Sequence, residues 1–242
     1  ERELDAFTEC QMAGDPGEVT WIKVNGISQV KNLEKLGECF NIHPLVLEDI
    51  LEVGQRPKVE DYEDYLYIVL NSIRPVAENE ELLAEEISLV LGPHYVLSFH
   101  EGDGDLFAPV RDRLLKAKGR IRKLGADYLA YALLDLIVDH YFAVLEKIGE
   151  RIEAVEEKLV TSPSTAALQE IQKLKRNMIF LRKWLWPLRE VLSVMQLEES
   201  SRIHPSTKIY LRDVYDHTIQ VIETVEIFRE MLSGMMDIYL SS

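Results

Sequence analysis

The side chains of this sequence with most to offer chemistry are four groupings of acidic residues. Glu48 and Asp49 adjoin just after His43-Pro44. Asp135 and Asp139 stand four apart, as do Asp213 and His217, with Asp216 beside the second pair. Asp216, Glu223, Glu230 and Asp237 recur every seven residues. Side chains four apart share one face of a helix, where like charges repel unless a cation or a base lies between them. A hard divalent cation such as Mg2+ needs only one or two carboxylates and keeps much of its water, so sparse groupings of this kind are compatible with a cation site. Each pair taken alone also reads as a solvated helix face, and His217 as a surface or interface histidine. The seven-residue stripe is a wet face in a monomer. In a ring of helices it would stack acidic rings along a central channel that attracts cations. Other chemistries have no foothold: there is no nucleotide-binding Gly-rich loop, no Gly-x-Ser-x-Gly turn, no His-Glu-x-x-His helix and no cysteine cluster for zinc.

Composition narrows the class. The chain has 242 residues, of which 47% are hydrophobic and 29% charged, enough to bury a sizeable core. Its 42 acidic and 27 basic residues give a net charge of −15, the wrong sign for a nucleic-acid binder, which draws most of its affinity from phosphate neutralisation. Cys10 and Cys39 do not make a disulfide framework, so a reducing, cytosolic setting is the default. No apolar run approaches the roughly 20 residues that span a bilayer, and no signal peptide opens the chain. The charge is unevenly divided. Residues 1–104 hold 22 acidic and 7 basic side chains, while the remaining 138 residues hold 20 of each. Such a shift suggests two structural units meeting near Glu101-Gly102-Asp103-Gly104-Asp105.

The elements that must position these groups follow from periodicity. Residues 19–24 alternate as a strand closed by Asn25-Gly26. Leu33 and Leu36 suggest a short helix, and His43-Pro44 starts another that ends at Gly54. Tyr65–Ile73, Glu86–Leu91 and His94–His100 read as strands, the last two joined at Gly92-Pro93 as an antiparallel hairpin. A short basic helix is expected from Arg111 to Arg120. Beyond it, three apolar series step by three and four: Leu129 to Leu159, Ile171 to Met195 and Leu211 to Tyr239. Such 3.5-residue seams predict long helices packed as a coiled coil. The fold class is therefore α+β: a small mixed α/β domain over 1–104, then long coiled-coil-like helices over 105–242. The hairpin helices fall at about 126–160 and 165–198 and the last helix at about 206–242. Ser162 or Ser164 can cap the second helix, and Pro187 should kink it. The last seam is still in phase at Ser242, without glycine, proline or a basic final turn, so the chain is expected to be cut mid-helix.

One stretch carries a family resemblance. Phe40-Asn41-Ile42-His43-Pro44-Leu45-Val46-Leu47-Glu48-Asp49-Ile50, followed by Gln55-Arg56-Pro57-Lys58-Val59-Glu60, resembles the CorA family of divalent-cation transporters. The resemblance continues, in order, through Ala126-Asp127-Tyr128-Leu129, Trp186-Pro187-Leu188-Arg189-Glu190-Val191-Leu192 and Arg212-Asp213-Val214-Tyr215-Asp216-His217-Thr218-Ile219-Gln220. It implies a homopentamer that passes Mg2+, and also Co2+ or Ni2+, through a membrane pore. Each subunit would have a cytoplasmic α/β domain and long helices forming a funnel stalk, the last helix running on into the first membrane span. This chain departs from the family by stopping before both spans, the Gly-Met-Asn signature and the basic tail, and by a short N-terminus. It would thus be the cytoplasmic part of a multi-pass membrane protein. The resemblance further implies regulatory Mg2+ between subunits that favours the closed state. Asp49 of one subunit and Asp213 of its neighbour are the first metal ligands, Glu48, Asp135 and His217 a second, weaker group, and Asp237 lines the pore.

Two other readings stay open beside it. A ZntB-like zinc transporter would draw on His43, His94, His100, His140, His204 and His217. A coiled-coil scaffold indifferent to ions would explain the seams alone. An enzyme ranks last, for want of a nucleophile–base pair or a cofactor fingerprint.

Overall fold

The computed structural model describes residues 18–25, 30–76, 81–102, 104–117, 119–161, 164–197 and 202–241. In chain order these form β1 (Thr20–Asn25), α1 (Val30–Cys39), α2 (Pro44–Leu51), β2 (Lys58–Tyr62), β3 (Tyr65–Pro75) and β4 (Leu82–Leu91). There follow β5 (Tyr95–His100), α3 (Ala108–Leu115), α4 (Ala126–Thr161), α5 (Thr165–Leu197) and α6 (Pro205–Ser241).

The strands make one five-stranded sheet in the order β1-β5-β4-β3-β2. β2, β3, β4 and β5 pair antiparallel, and β1 lies parallel to β5 at the edge. The β4–β5 link is as tight as expected: Gly92 N–H donates to the Tyr95 carbonyl at 3.0 Å. A Cβ on Gly92 would fall 2.2 Å from the Tyr95 ring, so any larger residue at that corner would have to push the ring aside.

Strand alternation assigns the two faces of the sheet to two cores. Tyr65, Tyr67 and Val69 join Val46 and Ile50 of α2 and Leu33 and Leu36 of α1 on one face. Leu66, Ile68 and Leu70 join Leu129, Leu133 and Ile137 of α4 on the other. β3 is buried on both faces, which is why it reads as an unbroken apolar run. Tyr141 Oη, fully buried, donates to the Asn71 carbonyl at 2.9 Å and ties α4 to β3.

The helical seams are buried as read. Every seam residue from Leu129 to Leu159 and from Ile171 to Met195 is buried. In α6 the same holds except at Phe228 and Tyr239, which are half-buried. Each fully buried Leu, Ile or Val contributes about 1.5–3 kcal/mol from lost water contact, so the seams and not local propensity hold these rods. At about 1.5 Å per residue, the 36 residues of α4 and 37 of α6 extend about 55 Å each. α4 contains an 18-residue stretch of mean hydropathy 1.4, long and apolar enough to cross a membrane by composition. Because 67% of that stretch is buried inside the fold, it is a core helix here.

Several expectations need adjusting. β2 was not anticipated, because Lys-Val-Glu-Asp-Tyr is a charged edge strand that pairs on one side only. β4 begins at Leu82, four residues before the expected Glu86, because it pairs with the full length of β3. α3 spans Ala108–Leu115 and not Arg111–Arg120; Ala117 (φ 50°) and Gly119 (φ 72°) take left-handed backbone that ends it. α5 continues as one helix through Pro187. Ser164 caps it, its Oγ accepting from Ala167 N–H at 3.3 Å, while Ser162 lies outside the described residues. Cys39 is disulfide-bonded, whereas the sequence took a reducing setting as the default.

Candidate metal centre

Asp49 is held by the end of α2 and the edge strand beside it. His43 caps α2, its Nδ1 accepting from Leu45 N–H at 3.2 Å, and Pro44 occupies the first turn. This start fixes the helical phase that buries Val46 and Ile50 and leaves Glu48 exposed and Asp49 at the rim. The loop after α2 is fastened from below. Glu86 Oε2 on β4 accepts from Gly54 N–H at 2.8 Å and Gln55 N–H at 2.7 Å, and Gln55 Nε2 donates to the Asp49 carbonyl at 2.5 Å. Burial, relieved in part by those N–H groups and reinforced by Asp49 and Glu52, raises the Glu86 carboxyl above its ordinary 4.5. Asp49 Oδ2 meets Lys58 Nζ at 2.5 Å, and the same ammonium lies 3.0 Å from Glu60 Oε1.

The second grouping lies on the other face of the sheet, where α4 meets α6. Asp135 is half-buried and Asp213 exposed. Burial, then the neighbouring Asp139, pushes the Asp135 carboxyl above 3.8; His217 and Arg113 pull it down and Asp213 adds to the rise. Tyr131 Oη donates to Asp135 Oδ2 at 3.5 Å, and the His217 ring packs edge-on against Phe142 at 6.1 Å with Nδ1 buried and unpaired. The structure thus brings Asp135, Asp139, Asp213 and His217 into one electrostatic neighbourhood. Glu48 and Asp49 stay apart from it, on α2 across the sheet. Among the described residues, no three His, Cys, Asp or Glu side chains of one chain converge tightly enough to hold a metal ion. The donors present are nonetheless of the right kind: oxygen-rich, rim-placed, and suited to a cation that keeps its water.

On α6, Asp216, Glu223, Glu230 and Asp237 are all exposed, so the seven-residue stripe is one open acidic face. The histidines do not gather. His43 and His204 are helix caps, His204 Nδ1 accepting from Ser206 N–H at 3.2 Å and each preceding a proline at the first turn. His100 is buried 3.4 Å from Glu85, and burial lowers its pKa below 6.5 against the pull of that carboxylate. Sequence reading missed Lys58, Glu86 and Gln55 as parts of the site. Gln55 and Lys58 fall in the Gln55–Glu60 motif, but no periodicity flags a residue that acts through a loop or across a strand edge.

Comparison with known proteins bears on the whole arrangement. A family model described as "CorA-like Mg2+ transporter protein" matches residues 16–242. The chain is 49% identical over 228 residues to the cobalt/magnesium transport protein CorA of Thermotoga maritima, covering 94% of this chain and 65% of that one. The chain thus spans just under two thirds of that relative. The soluble domain of CorA from Methanocaldococcus jannaschii superposes with a TM-score of 0.79 at 23% identity, covering 91% of this chain and 87% of the other. The ZntB cytoplasmic domain from Vibrio parahaemolyticus shares the fold more distantly, with a TM-score of 0.69 at 15% identity over 90% of this chain and 84% of that one. With nearly the full length matched in sequence and the same sheet and long helices, this chain belongs to the CorA family of Mg2+ transporter proteins.

Proposed function

We propose that the chain is the cytoplasmic Mg2+-sensing and gating part of a divalent-cation transporter, active as a homopentamer in a membrane. The acidic α/β unit over 1–104 offers Asp49, and the helical unit over 105–242 offers Asp213 of the next copy. Glu48, Asp135 and His217 make the weaker second group. Mg2+, with Co2+ as a substitute, would neutralise carboxylates that otherwise repel across the contact, and so favour one closed arrangement of subunits. Asp237 and the stripe above it would face the channel, and the same ions, Ni2+ included, are the cargo.

The observation that carries this reading is the separation of the two acidic groups. Asp49 and Asp213 are both accessible, on opposite layers of one chain, and no single chain gathers three ligands. A site built from them needs two copies. The zinc reading is weakened by His43 and His204, whose Nδ1 atoms are engaged in capping. The test is a thermal melt with and without Mg2+. The parent chain should gain stability by mass action, about 2.7 kcal/mol at a hundredfold excess over Kd, and Asp49→Ala/Asp213→Ala should gain none. An equal gain in the double variant would refute the site.

A further inference from the structure

Lys58 is the residue the sensing reading leaves unexplained. It projects from the edge strand β2, where a lysine ordinarily points into solvent and discourages strand addition. Here its ammonium is turned inward: 2.5 Å from Asp49 Oδ2, 3.0 Å from Glu60 Oε1, and 5.4 Å above the Tyr67 ring. The side chains of Lys58 and Asp49 are only 30% and 27% exposed. Asp49, Glu52, Glu60 and Glu86 crowd this corner with negative charge, and Lys58 is the cation that faces Asp49 and Glu60. Among the described residues it is the sole cation paired with Asp49.

We infer that Lys58 is a tethered competitor for the divalent cation at Asp49, and that Glu60 is the place to which it withdraws. The inference rests on the proposed role of Asp49. Without metal, the ammonium neutralises the carboxylate and keeps it ordered. A hydrated divalent ion that takes Asp49 Oδ2 must displace the ammonium donor bonded there. Lys58 and Glu60, two apart on the strand, share a face, and their contact at 3.0 Å already exists. The ammonium therefore keeps a partner when it lets go of Asp49, and the exchange needs side-chain rotation alone. Such internal competition sets the affinity of the site below what its carboxylates would give unaided. That suits a sensor that must release its ion when the concentration falls.

The inference has a sign that differs between two variants. Calorimetric titration of the 242-residue chain with Mg2+, and in parallel with Co2+, should show Lys58→Met binding about three- to tenfold more tightly than the parent, since the competing charge is gone while the stem is kept. Glu60→Gln should bind about threefold more weakly, because the displaced ammonium has lost its second acceptor. Lys58→Arg should stay within about twofold of the parent. In metal-free buffer Lys58→Met should melt below the parent, and the Mg2+-induced rise in Tm should be larger in the variant, a pattern that mere loss of a structural ion pair would not give. Parent-like or weaker binding by Lys58→Met, or tighter binding by Glu60→Gln, overturns the competitor role. If Lys58→Met does not fold, Glu60→Gln decides by its direction alone. Asp49→Asn separates the two levels: Mg2+ binding unchanged in that variant defeats the sensing reading, whereas binding lost there and unmoved by Lys58 and Glu60 substitutions defeats only this inference.

Discussion

At Asp49 and Asp135 the same side-chain type is prepared in opposite ways. Asp49 is at the rim and already neutralised by Lys58, while Asp135 is half-buried beside Asp139, with its carboxyl pushed up by burial and by that neighbour. Both need a counter-charge to be comfortable; Asp49 has a direct ion pair, whereas His217 and Arg113 only partly offset the rise at Asp135. His100 shows the converse. Its ring is buried with both nitrogens lacking a good hydrogen bond, and burial depresses its pKa even though Glu85 lies 3.4 Å away. The unfolded chain therefore takes up that proton first. The stability tied to His100 is complete above pH 6.5 and is lost as pH falls toward the depressed folded value. Thermal melts between pH 7.5 and about pH 5 should show a decline in the parent that is shallower in His100→Gln; identical slopes would show that His100 does not control it.

The helices are specified by their ends and their seams. α2 and α6 share a start, histidine as the cap and proline in the first turn, with the imidazole Nδ1 accepting a backbone N–H at 3.2 Å in each. His43→Ala should cost about 1 kcal/mol in chemical denaturation and His43→Asn much less, because asparagine also accepts at the cap position. Equal losses in the two variants would point to the contact of the imidazole with the Tyr62 ring, 5.9 Å between centroids, and not to the cap. Along the seam, Ile152 is fully buried between the long helices, and Ile152→Ala should cost about 2–5 kcal/mol, as truncation in a packed core does. Exposed Ile209, at 67% exposure, offers the contrast: Ile209→Ala should shift stability of a single chain by less than about 0.5 kcal/mol.

For the molecule as a whole, charge and shape point the same way. α6 presents four acids over about 32 Å of its length, spaced by two turns or about 10 Å, all exposed. Gathered around an axis, such faces repel at low salt and attract cations, which suits a conduit and penalises an unmetallated assembly. On the proposed reading, removal of divalent ions with a chelator should loosen association, seen as a fall in sedimentation coefficient that Mg2+ restores and Na+ does not. If the chain works within a membrane transporter as proposed, Asp237→Lys in that transporter should cut Mg2+ uptake severalfold, while Lys208→Ala on the same helix should leave it near the parent level.

Local rules reached a long way in this chain. Alternation placed β1, β-branched and aromatic composition placed β3, the three–four stepping placed α4, α5 and α6 and their buried faces, and Pro and Gly marked the start of α2 and the β4–β5 corner. The acidic stripe was also legible, since a helical repeat of seven fixes which side chains share a face regardless of what surrounds them. The parallel seat of β1 beside β5, the two cores on opposite faces of the sheet, and the separation of Asp49 from Asp213 were settled only by tertiary packing. So was the pairing of Asp49 with Lys58 across a strand edge, and the burial that raises Asp135. These depend on which remote segments meet, and a contact between residues distant in the chain leaves no period in the sequence for a local rule to read.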